Sequence, residues 1–302
     1  MLEIFYHPLY TDGIDKTSRF PRERYKLIFN AVKNLKDAKI KFTTPNKINI
    51  KNIYSAHDST YVDSFLNNTL STSEKRKIGL RPWTNKIIDR TLYIMGGSLG
   101  AVHSAIKNNI SANLAGGTHH AHYSYGSGYC IFNDLSISAI YCKKNLKNYD
   151  NILIIDLDVH QGDGTAAIHK SDNSVFTFSM HCETNFPLKK TKSDLDVFIK
   201  KNTEDNEYLN ILKQNLKIIN KVKADIIFFQ AGVDTLHTDS LGHLNLTREG
   251  LKKRNDIVLQ FCKEKKCPVV VFMGGGYSLP ITHTVDSFTD LFEQCSQYSI
   301  IE

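Results

Sequence analysis

Five short, mainly apolar runs constrain this chain more than any other feature: Ala112–Ala115, Ile152–Asp156, Val175–Met180, Ile226–Ala231 and Val269–Met273. Runs of this length read as strands buried on both faces, the usual state of a parallel sheet. Longer amphipathic stretches lie between them and read as helices: Arg22–Leu35, Asn85–Lys107, Asp134–Lys144, Asp205–Val222 and Thr247–Lys265. The last opens with Thr247 as N-cap and the acidic Glu249 in its first turn. Strands alternating with helices predict an α/β chain with a central parallel sheet flanked by helices. The 302 residues suit one large domain or two small ones. With no repeat and no low-complexity linker, a single domain over residues 1–302 is expected.

Four of the runs end in polar clusters. They are Gly116-Gly117-Thr118-His119-His120, Asp156-Leu157-Asp158-Val159-His160-Gln161-Gly162-Asp163-Gly164, Gln230-Ala231-Gly232-Val233-Asp234 and Gly274-Gly275-Gly276-Tyr277. Ligands of open α/β sheets bind beyond the carboxyl ends of the strands, so four such clusters predict one shared site.

Asp158 and His160 stand two residues apart at a strand end, which points both side chains the same way. With Asp234 from another strand end they make two carboxylates and one imidazole, a three-ligand set that leaves a zinc ion open to substrate. A lone D-x-H is more often a solvated turn; the apolar strand before it and the second aspartate shift the balance. Further carboxylates for a second metal would fall at Gly162, Gly232 or Leu236, so one catalytic ion is expected. His119 and His120 could divide proton transfer between them, given Asp156 and Asp163 as carboxylate partners. Tyr277, after three glycines, could donate to a developing oxyanion. No Walker lysine follows those glycines, which argues against a phosphate cradle.

Bulk properties exclude several classes. The net charge is +7, but no long basic block or aromatic-basic strand motif suggests direct nucleic-acid binding, and a lysine-rich solvated surface is the plainer explanation. The six cysteines (130, 142, 182, 262, 267 and 295) contain no C-x-x-C pair, so neither a disulfide framework nor a thiolate metal site is expected. Neither a secretory signal nor a membrane span is visible. The expected setting is intracellular, cytoplasmic rather than nuclear, which leaves a non-classical secretion route open.

Together, G-G-x-H-H, D-L-D-x-H-x-G-x-G, A-G-x-D and G-G-G-Y resemble the histone deacetylase superfamily, in family order and at family-like separations. The resemblance runs from about His57-Asp58 to about Phe292. It implies the arginase–deacetylase fold and hydrolysis of acylated lysine in a protein or peptide, assisted by one zinc ion. It implies zinc ligands Asp158, His160 and Asp234, tandem acid/base residues His119 and His120 with partners Asp156 and Asp163, and Tyr277 on the scissile carbonyl. Gly128, Tyr129, Phe186 and Gly275 would line the acyl-lysine tunnel. Tyr129 departs from the family's usual phenylalanine. A structural potassium ion would use Asp156, Asp158, His160, Ser179 and Met180, partly through backbone carbonyls.

Gln161, Thr203–Leu209 and Asp239–Leu244 look most like the class IV branch and its bacterial relatives. That branch is associated with long fatty acyl groups, which would need an apolar pocket between the loops carrying Gly128-Tyr129 and Gly275-Gly276. Two rivals share much of this pattern. An amidohydrolase of acetylated polyamines or another small amide would keep the same residues. A non-catalytic acyl-lysine binding module would be expected to lose a ligand, a histidine or the tyrosine, and all are present.

Overall fold

Period and burial together explain the sheet. In the computed structural model, which describes residues 1–298, the strands are β1 (Leu2–Phe5), β2 (Ile40–Thr43), β3 (Ile110–Asn113), β4 (Ile152–Asp156), β5 (Val175–Cys182), β6 (Leu195–Ile199), β7 (Ile226–Gln230) and β8 (Val269–Phe272). They form one sheet in the order β2-β1-β3-β8-β7-β4-β5-β6, every neighbouring pair parallel. In β4, Leu153 and Ile155 enter one hydrophobic cluster while Ile152 and Ile154 enter another. Ile227 and Phe229 of β7 likewise part from Ile226 and Phe228. Each central strand therefore feeds a core on both faces, which is why its sequence is apolar throughout instead of alternating.

The helices are α1 (Leu9–Asp12), α2 (Arg24–Lys33), α3 (Ile50–Tyr54), α4 (Ser59–Leu66), α5 (Thr72–Ile78), α6 (Ile87–Asn108), α7 (Asp134–Asn145), α8 (Asp163–His169), α9 (Asp205–Ile219), α10 (Arg248–Lys265) and α11 (Thr282–Ser296). One core takes Ala101, Val102 and Ala105 from α6 with Leu135 and Ala139 from α7. The other takes Leu212 from α9, Val258 from α10 and Phe288 from α11. Thr247 caps α10 as expected, its hydroxyl accepting from the Gly250 N–H at 3.0 Å.

Several expected boundaries need correction, among them the helix over Asp205–Val222, which ends at Ile219. The run at Ala112–Ala115 pairs two residues earlier, at Ile110–Asn113, because the backbone bends at Leu114 and Ala115 after a last bond from the Leu114 N–H to the Phe5 carbonyl. The helix expected from Asn85 starts at Ile87, and the one expected over Arg22–Leu35 spans Arg24–Lys33. Strands β1, β2 and β6 lie outside the five apolar runs. β2 and β6 are edge strands, largely half-exposed, and so keep polar residues that break an apolar run. All six cysteines are buried and unpaired, and no helix among the described residues is long and apolar enough to cross a membrane.

Candidate active site and metal centre

β3, β8, β7 and β4 are successive neighbours in the sheet, so the four polar clusters that follow them meet at one edge. After β3, Gly116 and Gly117 turn the chain with φ of +82° and +73°. A Cβ on Gly116 would stand 2.2 Å from Asp134 Oδ2. That carboxylate, at the start of α7, accepts from the Gly117 N–H at 3.1 Å and the Thr118 N–H at 2.8 Å. Asn133, the α7 N-cap, donates to the Ala121 carbonyl at 3.1 Å. The two together hold the segment carrying His119 and His120.

Both of those imidazoles are fixed through Nδ1. His119 meets Asp156 Oδ2 at 2.7 Å, and His120 meets Asp163 Oδ1 at 2.7 Å. Their ring centroids are 4.1 Å apart. This leaves both Nε2 atoms for the cavity, and His119 Nε2 lies 3.8 Å from Asp158 Oδ1. Burial disfavours the charged form of His119, but the carboxylates of Asp156 and Asp158 outweigh it and hold the imidazole at about 9. Burial and the neighbouring His119 lower His120 to about 4. Asp163 is buried, yet hydrogen bonds from His120 and His122 keep it well below the usual carboxylate range.

Asp158, His160 and Asp234 each offer a donor atom, all within 4.8 Å of one another. His160 Nδ1 is 3.1 Å from Asp158 Oδ1 and 3.1 Å from Asp234 Oδ2. Backbone N–H groups orient the carboxylates: Gly275 N donates to Asp158 Oδ2 at 2.7 Å, and Val159 N donates to Asp234 Oδ1 at 2.9 Å. Burial and the Asp158 charge raise Asp234 to about 7. Two buried carboxylates converging on one imidazole are costly unless a cation sits among them. The donor chemistry, O, N and O at this spacing, therefore fits a zinc ion.

Tyr277 closes the site from the loop after β8. Its backbone N–H donates to Asp239 Oδ2 at 2.6 Å, and burial holds its phenol well above the usual value, so it keeps its proton. Gly128, Tyr129, Phe186 and Tyr277 line a cavity of about 830 Å³ whose floor includes His120 and His160. A second space of about 40 Å³, bordered by Gly275, His119 and Asp158, lies beyond it. Ser179 and Met180 are buried on β5, and Ser179 stands in register with Asp156 of β4.

Several supporting residues had not been singled out. Arg24 donates to the Gly274 and Gly276 carbonyls, at 3.0 Å each. Arg254 donates to the carbonyls of Leu157 at 3.3 Å, Gly232 at 2.6 Å and Ala231 at 3.2 Å. These two arginines, from α2 and α10, tie down the loops that carry Tyr277, Asp158 and Asp234. Nothing in their local sequence marks them, because their partners are backbone atoms far along the chain. His122, which shares Asp163 with His120, could have been suspected from the H-H-x-H spacing. Gln161 is wholly buried, bonded to the Thr191 backbone and to Asp196 Oδ1 at 2.8 Å, so it braces the rim.

The Histone deacetylase domain model matches residues 18–293, so the likeness begins well before His57. An uncharacterised protein of Picosynechococcus sp. is 40% identical over 279 residues, covering 91% of this chain and 92% of that protein. Acetoin utilization protein AcuC of Staphylococcus aureus (strain Mu50) is 32% identical over 70% of this chain and 59% of its own length. Histone deacetylase 2 of Arabidopsis thaliana is 29% identical over 69% of this chain and 54% of its own. The chain thus spans little more than half of these two longer relatives.

Proposed function

This chain belongs to the histone deacetylase family, and on that premise we propose that it is a zinc-dependent amidohydrolase removing acyl groups, acetyl foremost, from lysine side chains of a protein or peptide. The observation that carries the proposal is the meeting of the Asp158–His160–Asp234 donor set with two carboxylate-anchored imidazoles and a protonated phenol where the two adjoining spaces meet. In this reading Asp158, His160 and Asp234 would hold one zinc ion. Bound there, zinc supplies Lewis acidity toward a carbonyl and lowers the pKa of water.

The chain's own residues do the rest. His120, neutral at physiological pH, accepts the proton of the attacking water at Nε2, while Asp163 fixes its ring. The water oxygen bonds to the amide carbon. The Tyr277 hydroxyl donates to the carbonyl oxygen as it gains charge. When the C–N bond breaks, a proton from the histidine pair passes to the leaving lysine amine. His119 stays paired with Asp156, which holds its Nε2 toward the cavity. Gly128, Tyr129 and Phe186 guide the lysine stem, and Gly275 borders the acyl end. A potassium ion would sit by Asp156, Asp158, His160, Ser179 and Met180, where strand register brings Asp156 beside Ser179.

The inner space of about 40 Å³ is small beside the outer cavity of about 830 Å³. That favours acetyl over the long fatty chains of the class IV resemblance. The test is one peptide carrying acetyl-, octanoyl- or myristoyl-lysine, with acetylated spermidine as the small-molecule rival, each with and without a zinc chelator. Chelator-sensitive release of acetate from the peptide is expected. Hydrolysis of acetylspermidine alone would move the chain to the polyamine reading, and no hydrolysis by zinc-loaded protein would leave the binding-module reading.

A further inference from the structure

The positive charge gathers at the mouth of the active-site cavity. Lys77, at the end of α5, and Lys189 and Lys190, in the loop after β5, line the opening. The one carboxylate in that lining is Asp163, which is buried and already bonded to His120 and His122. A neighbouring pocket shares Gly79 and Tyr129 with the mouth and is lined by Arg19, Lys75 and Arg81, with no acidic residue. Among the described residues none of these six cations is in an ion pair. Lys190 spends its ammonium on the Asn185 and Pro187 carbonyls, which fixes its charge at the rim. Burial lowers Lys77 and Lys190 from the usual lysine value, a cost that a nearby anion would relieve.

We propose that this collar selects acyl-lysines set in acidic polypeptide sequence, with carboxylate side chains on the residues flanking the lysine; this rests on the acyl-lysine hydrolase reading above. The cavity admits the acyl-lysine, and the flanking residues must then cross the rim, where they meet Lys77 and Lys189 first and Arg19, Lys75 and Arg81 beyond. A cleft lined by one sign of charge focuses its field and speeds the approach of the opposite charge. Nucleic acid is the lesser fit, because single strands bind by stacking bases on open aromatic faces. Here two of those faces are capped: Lys77 Nζ stands 3.3 Å from the Tyr125 ring centroid and Lys75 Nζ 5.1 Å from that of Trp83.

The test uses zinc-loaded full-length protein and three acetyl-lysine peptides, flanked on both sides by Asp/Glu, by Ser/Gly or by Lys/Arg. An unflanked acetyl-lysine amide is the fourth substrate. The readout is the acidic-to-basic ratio of kcat/KM, in the parent and in the Lys77→Glu/Lys189→Glu double variant. A ratio within one protein is unaffected by a general loss of active enzyme. The parent ratio should exceed about tenfold at low salt and collapse toward one near 1 M salt, where the Debye length is about 3 Å. In the double variant it should fall below one. A parent ratio within twofold of one, or one unchanged by the double substitution, overturns the proposal. If the unflanked amide is hydrolysed in that case, the hydrolase reading survives; if no acetyl-lysine substrate is hydrolysed, both fall. A labelled single-stranded oligonucleotide that binds more tightly than the acidic peptide would reassign the collar to nucleic acid.

Discussion

If Asp158, His160 and Asp234 hold a metal ion, replacing Gly275 by alanine should weaken its binding by at least about 10²-fold although every donor residue remains. The new methyl would lie 1.8 Å from Asp234 Oδ2, 2.5 Å from Asp234 Cγ and 3.0 Å from Asp158 Oδ2. Real Cβ atoms essentially never approach another heavy atom closer than 3.0 Å, so the Asp234 carboxylate must retreat by about 1.2 Å. Metal–ligand distances tolerate only about 0.2 Å. Asp234 has little freedom to compensate, being fully buried with Oδ1 engaged by the Val159 N–H at 2.9 Å. Loss of an outer hydrogen-bond partner typically costs 10–100-fold in metal affinity. Displacing a ligand oxygen should cost more, at least about 10²-fold. Zinc titration calorimetry on apo parent and Gly275→Ala measures this directly. Zinc affinity in Gly275→Ala within about threefold of the parent would refute the geometry on which the site rests.

Tyr277→Phe should lower kcat by about 10²–10³ with little change in KM, as loss of an oxyanion donor does; near-parental kcat would give the phenol a structural role only. Arg254→Met should destabilise the fold by about 3 kcal/mol or more in denaturant titrations, because the Leu157, Ala231 and Gly232 carbonyls lose a fully buried donor; a change under about 1 kcal/mol would contradict that. His57 supplies a pH test. Burial lowers its imidazole to about 4, partly offset by the His122 and Tyr123 carbonyls. The unfolded chain binds the proton near 6.5 and the folded chain only near 4, so the group's contribution is whole above pH 6.5 and lost as pH falls toward 4. That is about 3 kcal/mol, readable as a fall in unfolding free energy that His57→Gln flattens; an equal slope in both proteins would exclude His57 as its source.

The sequence by itself determined the class of fold and pointed to the residues that the structure gathers beyond the carboxyl ends of β3, β8, β7 and β4. β4 could be bounded to the residue because it is buried on both faces, so its run is apolar from Ile152 until Asp156 ends it. The D-x-D-x-H spacing needed no tertiary information either, since alternate residues beyond a strand share a direction. Sequence could not order the strands. β3 and β8 are neighbours although more than 150 residues separate them, and that pairing brings Gly116-Gly117 against Gly274. It could not find the edge strands β2 and β6, whose polar residues are tolerated because the sheet stops there. Nor could it place the N-terminal segment at the site: Arg24 lies buried near Tyr277 only because the turn after β8 presents two carbonyls to it, 250 and 252 residues along the chain. Local pattern records what each segment must bury; which distant backbone atoms it must satisfy is decided only when the sheet has assembled.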